Sequence, residues 1–223
     1  MNNKSLKISM VINILIFIMT VLASVIMFTG FKFMKGDPIL ETTKLEMLKF
    51  FTVDSNMFMG IIALIFGIKE FQILKGKKTE ITRKMYILKL MATVGVVLTF
   101  ATVFAYLGPI SPGGIPSMLL NSNLFFHFLI PVVSMLNFVI FERSNKIKFR
   151  YTIMGVIPMF IYAIFYLSNV LVHMDNGKVA PVYDWYWFVQ GGVWQLFIVL
   201  PLMIIVTYII SLILWRLNKK VKD

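Results

Sequence analysis

No cysteine occurs anywhere in the 223 residues. Disulfides, thiolate metal sites and a cysteine nucleophile are thereby excluded. Histidine is nearly as scarce, with His127 and His173 the only two, too few for a histidine-based zinc centre. No metal and no cofactor are expected. Charged residues make up 14% of the chain, where a soluble domain carries about a quarter. Apolar residues fill the gap at 59%, which places the chain among multipass membrane proteins. Basic residues outnumber acidic ones by 22 to 10. They sit in short segments between apolar runs, where they set orientation and meet lipid headgroups. The expected partners are membrane lipids, and nucleic acid is not among them.

Six apolar runs are long enough to cross ~30 Å of hydrocarbon at ~20 residues each. They cover residues 8–29, 50–68, 85–107, 124–141, 151–172 and 191–215. The fold expected is an all-α integral membrane bundle of six transmembrane helices, forming one domain over residues 1–223. Lys4 and Lys7 precede a first run that is too long for a signal-peptide core and has no clear small-x-small site after it, so it reads as a retained span. Sixteen Lys and Arg fall on the side shared by both termini and five on the other. The positive-inside rule then makes both termini cytoplasmic. Asp54 and Lys89 are the only charged residues clearly inside the runs, and Lys89 is close enough to an end to snorkel. The stretch Val182 to Phe188 reads as an aromatic belt at the membrane boundary.

The cytoplasmic charges also give a depth scale. Thr52 lies 17 residues before Lys69 and His127 lies 16 before Arg143. At 1.5 Å per residue both sit ~25 Å above those anchors, in one layer near the outer surface. Residues three or four apart share a helix face. That groups Thr52 with Ser55 and Asn56, and His127 with Asn123. Asp54 points elsewhere, toward the helix start or an interhelical bond. Thr102, Tyr166 and Asn169 supply polar groups at similar height, and together these residues suggest a polar pocket in the outer leaflet.

Threonine needs a base to become a nucleophile, and a neutral imidazole whose other nitrogen is held can be that base. Thr52 and His127 are therefore the candidate catalytic pair. Asn123 or a backbone carbonyl would orient the imidazole. Ser55, Asn56, Asn123 and Tyr166 are candidates for substrate-pocket or oxyanion support, as are N–H groups at the start of the second span. Plainer roles compete. Thr-x-x-Ser beside an acid suits a helix N-terminus, and buried polar side chains often only join helices.

The segments Phe51-Thr52-Val53-Asp54-Ser55-Asn56 and His127-Phe128-Leu129-Ile130-Pro131 resemble the paired signatures of the androgen-induced and androgen-dependent TFPI-regulating membrane proteins, especially their bacterial members. Pro158, Tyr162 and Pro181-Val182-Tyr183-Asp184 are similar to further segments of those members. The resemblance implies a multipass threonine hydrolase of lipid esters, which in animals are fatty acid esters of hydroxy fatty acids. It implies Thr52 as nucleophile, His127 as base, a lipid substrate in the bilayer as partner and a place in a bacterial cytoplasmic membrane. The residues after Thr52 depart from the animal pattern, and the distance from His127 to Pro131 is shorter, differences that bear on the substrate. Other classes remain beside it: a transporter or binding protein for a lipid or small solute, a membrane assembly protein, or an acyltransferase using the same pair.

Overall fold

The computed structural model describes residues 3–36, 38–189 and 192–219. Among the described residues, six helices are long and apolar enough to cross a membrane: α1 (Asn3–Thr29), α2 (Phe51–Leu74), α3 (Arg83–Ile110), α4 (Ser122–Phe141), α5 (Phe149–Val172) and α6 (Val193–Asn218). The architecture is an all-α six-helix bundle. Among the described residues, the only strands are β1 (Met174–Asp175) and β2 (Lys178–Val179), a short antiparallel hairpin after α5. Residue 191, where the sixth apolar run begins, lies outside the described residues, as do Lys220 and Lys222.

Side chains are distributed inside-out relative to a soluble protein. Ile198, Leu202, Ile205, Ile209 and Ile213 form an exposed stripe along α6 at helical spacing, and Val11, Leu15, Ile18, Leu22 and Val25 do the same on α1. Ser9, Asn13, Thr20, Ser55, Asn56 and Thr93 are buried within the bundle. Lipid solvates the outer stripes, while polar groups find partners only inside. The chain is an integral membrane protein.

α1 and α2 cross closely where Gly60 lets the backbones approach. A Cβ at Gly60 would stand 2.8 Å from Thr20 Cβ, whereas one at Gly67 would meet Asn13 Cβ at 3.4 Å. Gly60→Ala is therefore expected to overpack the crossing and destabilise by about 1–3 kcal/mol. Gly67→Ala makes ordinary contacts and gains helix propensity, so it should be neutral or better. Thermal unfolding of the two variants in detergent tests this; equal melting temperatures would show that the Gly60 crossing is not tight.

Prolines shape the other helices. Phe125–Leu129 of α4 is a π-helical turn, closed by the Ile130 N–H on the Phe125 carbonyl. Pro131 follows and has no N–H for the carbonyl of His127, four residues back. A wide turn absorbs that missing bond, and His127 sits inside it. In α3 a second π-helical turn, Val103–Leu107, precedes Pro109 in the same way.

Two expectations are corrected. Lys89 does not snorkel: it is wholly buried and ion-paired to Glu142 at 3.2 Å, with its Nζ 5.3 Å from the Phe66 ring centroid. Nor are Asp54 and Lys89 the only charges within the spans. α2 continues to Leu74 and carries the fully buried Glu70. Glu70 shares a face with Gly60, Ala63 and Gly67, which turns it toward α1 rather than toward solvent.

Candidate functional site

α2 begins at Phe51, with Phe50 as N-cap and no side-chain cap of its own. The first N–H groups of any helix lack intrahelical partners. Here a distant residue supplies the acceptor: the Tyr186 hydroxyl oxygen takes the Phe51 N–H at 2.9 Å, and the Thr52 N–H and hydroxyl face the same oxygen. Thr52 is thus not the cap. It is half-buried and lines a cavity of about 30 Å³ with Thr99, Thr102, Tyr162, Tyr166 and Tyr186. That volume holds about one water.

His127 is buried, and its Nδ1 lies 2.6 Å from the Met118 carbonyl oxygen. A carbonyl can only accept, so Nδ1 carries the hydrogen and, in the neutral ring, Nε2 carries the lone pair. This is the tautomer a general base requires. The holder is a backbone carbonyl and not Asn123, whose amide instead donates to the Ile39 carbonyl at 2.9 Å and ties the loop after α1 to α4. Asn121 secures the same loop by accepting the Phe33 and Met34 N–H groups, each at 2.9 Å.

Asn56 joins the two helices. Its amide donates to the Thr52 carbonyl at 2.7 Å and to the Phe126 carbonyl at 3.1 Å. The start of α2 and the residue before His127 are thereby locked at one layer, in keeping with the equal depths expected from the sequence. No hydrogen bond joins Thr52 to His127. The Ser55 hydroxyl donates to the Thr52 carbonyl at 3.1 Å and lies 3.3 Å from the Thr99 hydroxyl, linking α2 to α3. Asp54 is turned away from this layer. It is exposed on the wall of a second, lipid-facing groove of about 610 Å³ lined mostly by apolar side chains, among them Phe58, Leu88, Ile161 and Phe165. Phe51 and Tyr162 border both spaces.

The Val182 to Phe188 stretch is not an outward-facing belt. Trp185, Tyr186 and Phe188 are buried and pack as a lid on Phe50, Tyr162 and Tyr166. Asp184 builds the lid: its carboxylate accepts the Tyr166 hydroxyl and the N–H groups of Phe188 at 2.9 Å and Val189 at 3.1 Å. Asn169 donates to the Tyr183 carbonyl at 2.8 Å, and His173 stacks on Tyr183 at 3.7 Å, exposed outside the bundle. From the sequence alone Tyr186 takes no part in the site, and Asp184 enters only through the resemblance of the segment Pro181-Val182-Tyr183-Asp184. Both stand amid bulky aromatics, a composition that also describes a boundary belt.

Burial pushes the Tyr186 phenol up to about 12 from its ordinary 10.0, against the opposing pull of its hydrogen bonds with Tyr162, Phe51 and Thr52. A folded-state value above the unfolded one gives stability that is complete below pH 10 and is lost as pH rises through about 12. Tyr186→Phe keeps the ring and deletes the acceptor of a buried N–H, so it should lose about 1–3 kcal/mol at neutral pH. The gap to wild type should narrow under alkali. A constant gap in melting temperature from neutral to alkaline pH would remove Tyr186 from the cap.

Compared with protein-family models, with curated proteins and with solved structures, the chain matches none.

Proposed function

We propose that the chain is a membrane-embedded hydrolase of lipid esters, with Thr52 as nucleophile and His127 as base. The observation that carries this reading is the Asn56 bridge, which fixes the Thr52 backbone beside the residue preceding His127. The Nδ1–H tautomer held by Met118 and the resemblance of both segments to a threonine-hydrolase family support it further. The lipid-facing groove that shares Phe51 and Tyr162 with the Thr52 cavity suits an acyl chain arriving from the bilayer.

The reaction requires the Thr52 hydroxyl to turn from Tyr186 to the His127 Nε2 when substrate opens the small cavity. Catalytic hydrogen bonds often tighten only in the complex. Thr52 Oγ then attacks the ester carbonyl and passes its proton to Nε2. The protonated imidazole gives that proton to the leaving alcohol; His127 next takes one from the water that attacks the acyl-threonine and returns it to Thr52 Oγ as the acid leaves. The Tyr186 O–H and the first N–H groups of α2 serve as oxyanion donors. With the Lys-rich end taken as cytoplasmic, this reading sets the site near the outer leaflet of a bacterial cytoplasmic membrane.

A fluorophosphonate probe on the purified protein tests the reading: covalent labelling at Thr52, with turnover of lipophilic esters, is the expected result. A second reading, a lipid-binding or transport protein, draws on the unmade Thr52–His127 bond and the lateral groove. It predicts lipid uptake into proteoliposomes with neither labelling nor ester cleavage.

A further inference from the structure

A second polar centre lies at the other end of the bundle, with Glu70 eighteen residues along α2 from Thr52, or ~27 Å. It takes no part in the ester chemistry. Ser9 and Asn13 of α1, Glu70 of α2, Lys89 of α3, and Asn137 and Glu142 at the end of α4 meet there, all fully buried. The Glu142 Oε1 accepts the amides of Asn13 and Asn137, each at 2.9 Å, the Ser9 hydroxyl at 3.4 Å and the Lys89 ammonium at 3.2 Å. Lys89 also donates to the Asn13 Oδ1. Glu70 is poorly served by comparison. Its Oε2 accepts the Asn13 amide at 2.9 Å, and the Ser9 hydroxyl lies within reach of both carboxylates.

The charge does not balance. Two carboxylates face one ammonium, leaving one negative charge in excess if both are ionised. The Glu70 Oε1, the Glu142 Oε2 and the Asn137 Oδ1 are buried acceptors that meet no donor. Buried charge without a partner is among the costliest arrangements in a protein. Glu142 has the donors of an ionised carboxylate, so the surplus falls on Glu70. A single proton on Glu70 removes the surplus charge and turns one of those unpaired acceptors into a donor.

We propose that this cluster is a proton-binding site: Glu70 holds one exchangeable proton that neutralises the α1–α2–α3–α4 junction. A proton from the aqueous phase adds to the Glu70 carboxylate to give the acid, and its release restores the carboxylate, with no other bond changed. The charged and titratable groups that face it are Glu142 of α4 and Lys89 and Tyr86 of α3. The α1 face is neutral, offering Ser9 and Asn13. Access runs past Tyr86, whose hydroxyl hydrogen-bonds with Ser144 and lies within electrostatic range of both carboxylates. Tyr86 and Ser144 line a polar cavity of about 490 Å³ among the Lys-rich connections, with Glu80, Arg143 and Lys146.

Infrared difference spectra of the full chain in lipid, titrated from about pH 5 to about pH 9 where buried carboxyls change state, test the proposal. Wild type minus Glu70→Gln is expected to show one protonated-carboxyl band that disappears as pH rises, with Asp54 and Asp184 cancelling in the subtraction. Glu142→Gln should also lose the band, because Glu70 then becomes the sole partner of Lys89. Glutamine mimics the protonated acid, so Glu70→Gln should fold as stably as wild type. A band that survives Glu70→Gln, or no pH-dependent band in wild type, overturns the proposal. So does failure of Glu70→Gln to fold, or stabilisation of wild type by sodium or potassium without a carboxyl band. None of these outcomes bears on ester turnover, which rests on the distant site.

Discussion

Thr52→Ala should abolish lipid-ester turnover, by at least ~10³-fold, since removing a nucleophile that works with its base as a unit leaves only binding and oxyanion stabilisation. Its melting temperature should barely change. Apart from the hydroxyl's contact with the Tyr186 oxygen, the bonds at this position go to the Thr52 N–H and carbonyl, the latter accepting from Asn56 and Ser55, and alanine keeps both. Thr52→Ser retains a hydroxyl and should keep measurable labelling. His127→Gln should lose turnover to a similar degree, while its amide can still donate to the Met118 carbonyl that His127 now occupies. Full turnover in Thr52→Ala would transfer the nucleophile elsewhere, with Ser55 the next hydroxyl on the same face. Lipid uptake by wild type without any ester cleavage would favour the binding or transport reading.

Lys89→Met is expected to cost about 3–5 kcal/mol, the usual penalty for removing one partner of a buried ion pair. The loss arises because Glu142, fully buried, keeps its charge without its ammonium. Lys89→Met combined with Glu142→Gln removes both charges and should recover most of that stability. Unfolding of the single and double variants in one detergent measures the recovery. If Lys89→Met alone is as stable as wild type, the pair contributes nothing and the lysine lies nearer the membrane surface than the structure places it.

Hydrophobic runs fix the number and order of the helices, because crossing a bilayer demands about twenty apolar residues whatever their neighbours. Helical rise is also nearly context-free, so the common layer of Thr52 and His127 was legible, and so were Ser55 and Asn56 as companions of Thr52. The partners of these residues were not. Met118 holds His127 through a backbone carbonyl, a group that every residue carries and no sequence pattern marks. Tyr186 caps α2 from 135 residues away, at the end of a loop whose aromatics suit a boundary belt equally well.

The charged residues divide the same way. Lys89 is five residues beyond Lys84, and its long stem permits snorkelling, so sequence position alone favours the surface. Its true surroundings come from Asn13, Glu70 and Glu142 on three other helices. Ser9, Asn13, Ile16 and Thr20 do recur at helical spacing, and Gly60, Ala63, Gly67 and Glu70 likewise, which hinted at an inward polar stripe without naming its partner. By itself the sequence determined an all-α six-span membrane bundle and the common layer of Thr52 and His127, since both follow from local hydropathy and fixed helix geometry. The tertiary structure alone decided that Thr52 faces Tyr186 and that two glutamates share one lysine, because helix rotation and packing choose which buried faces meet.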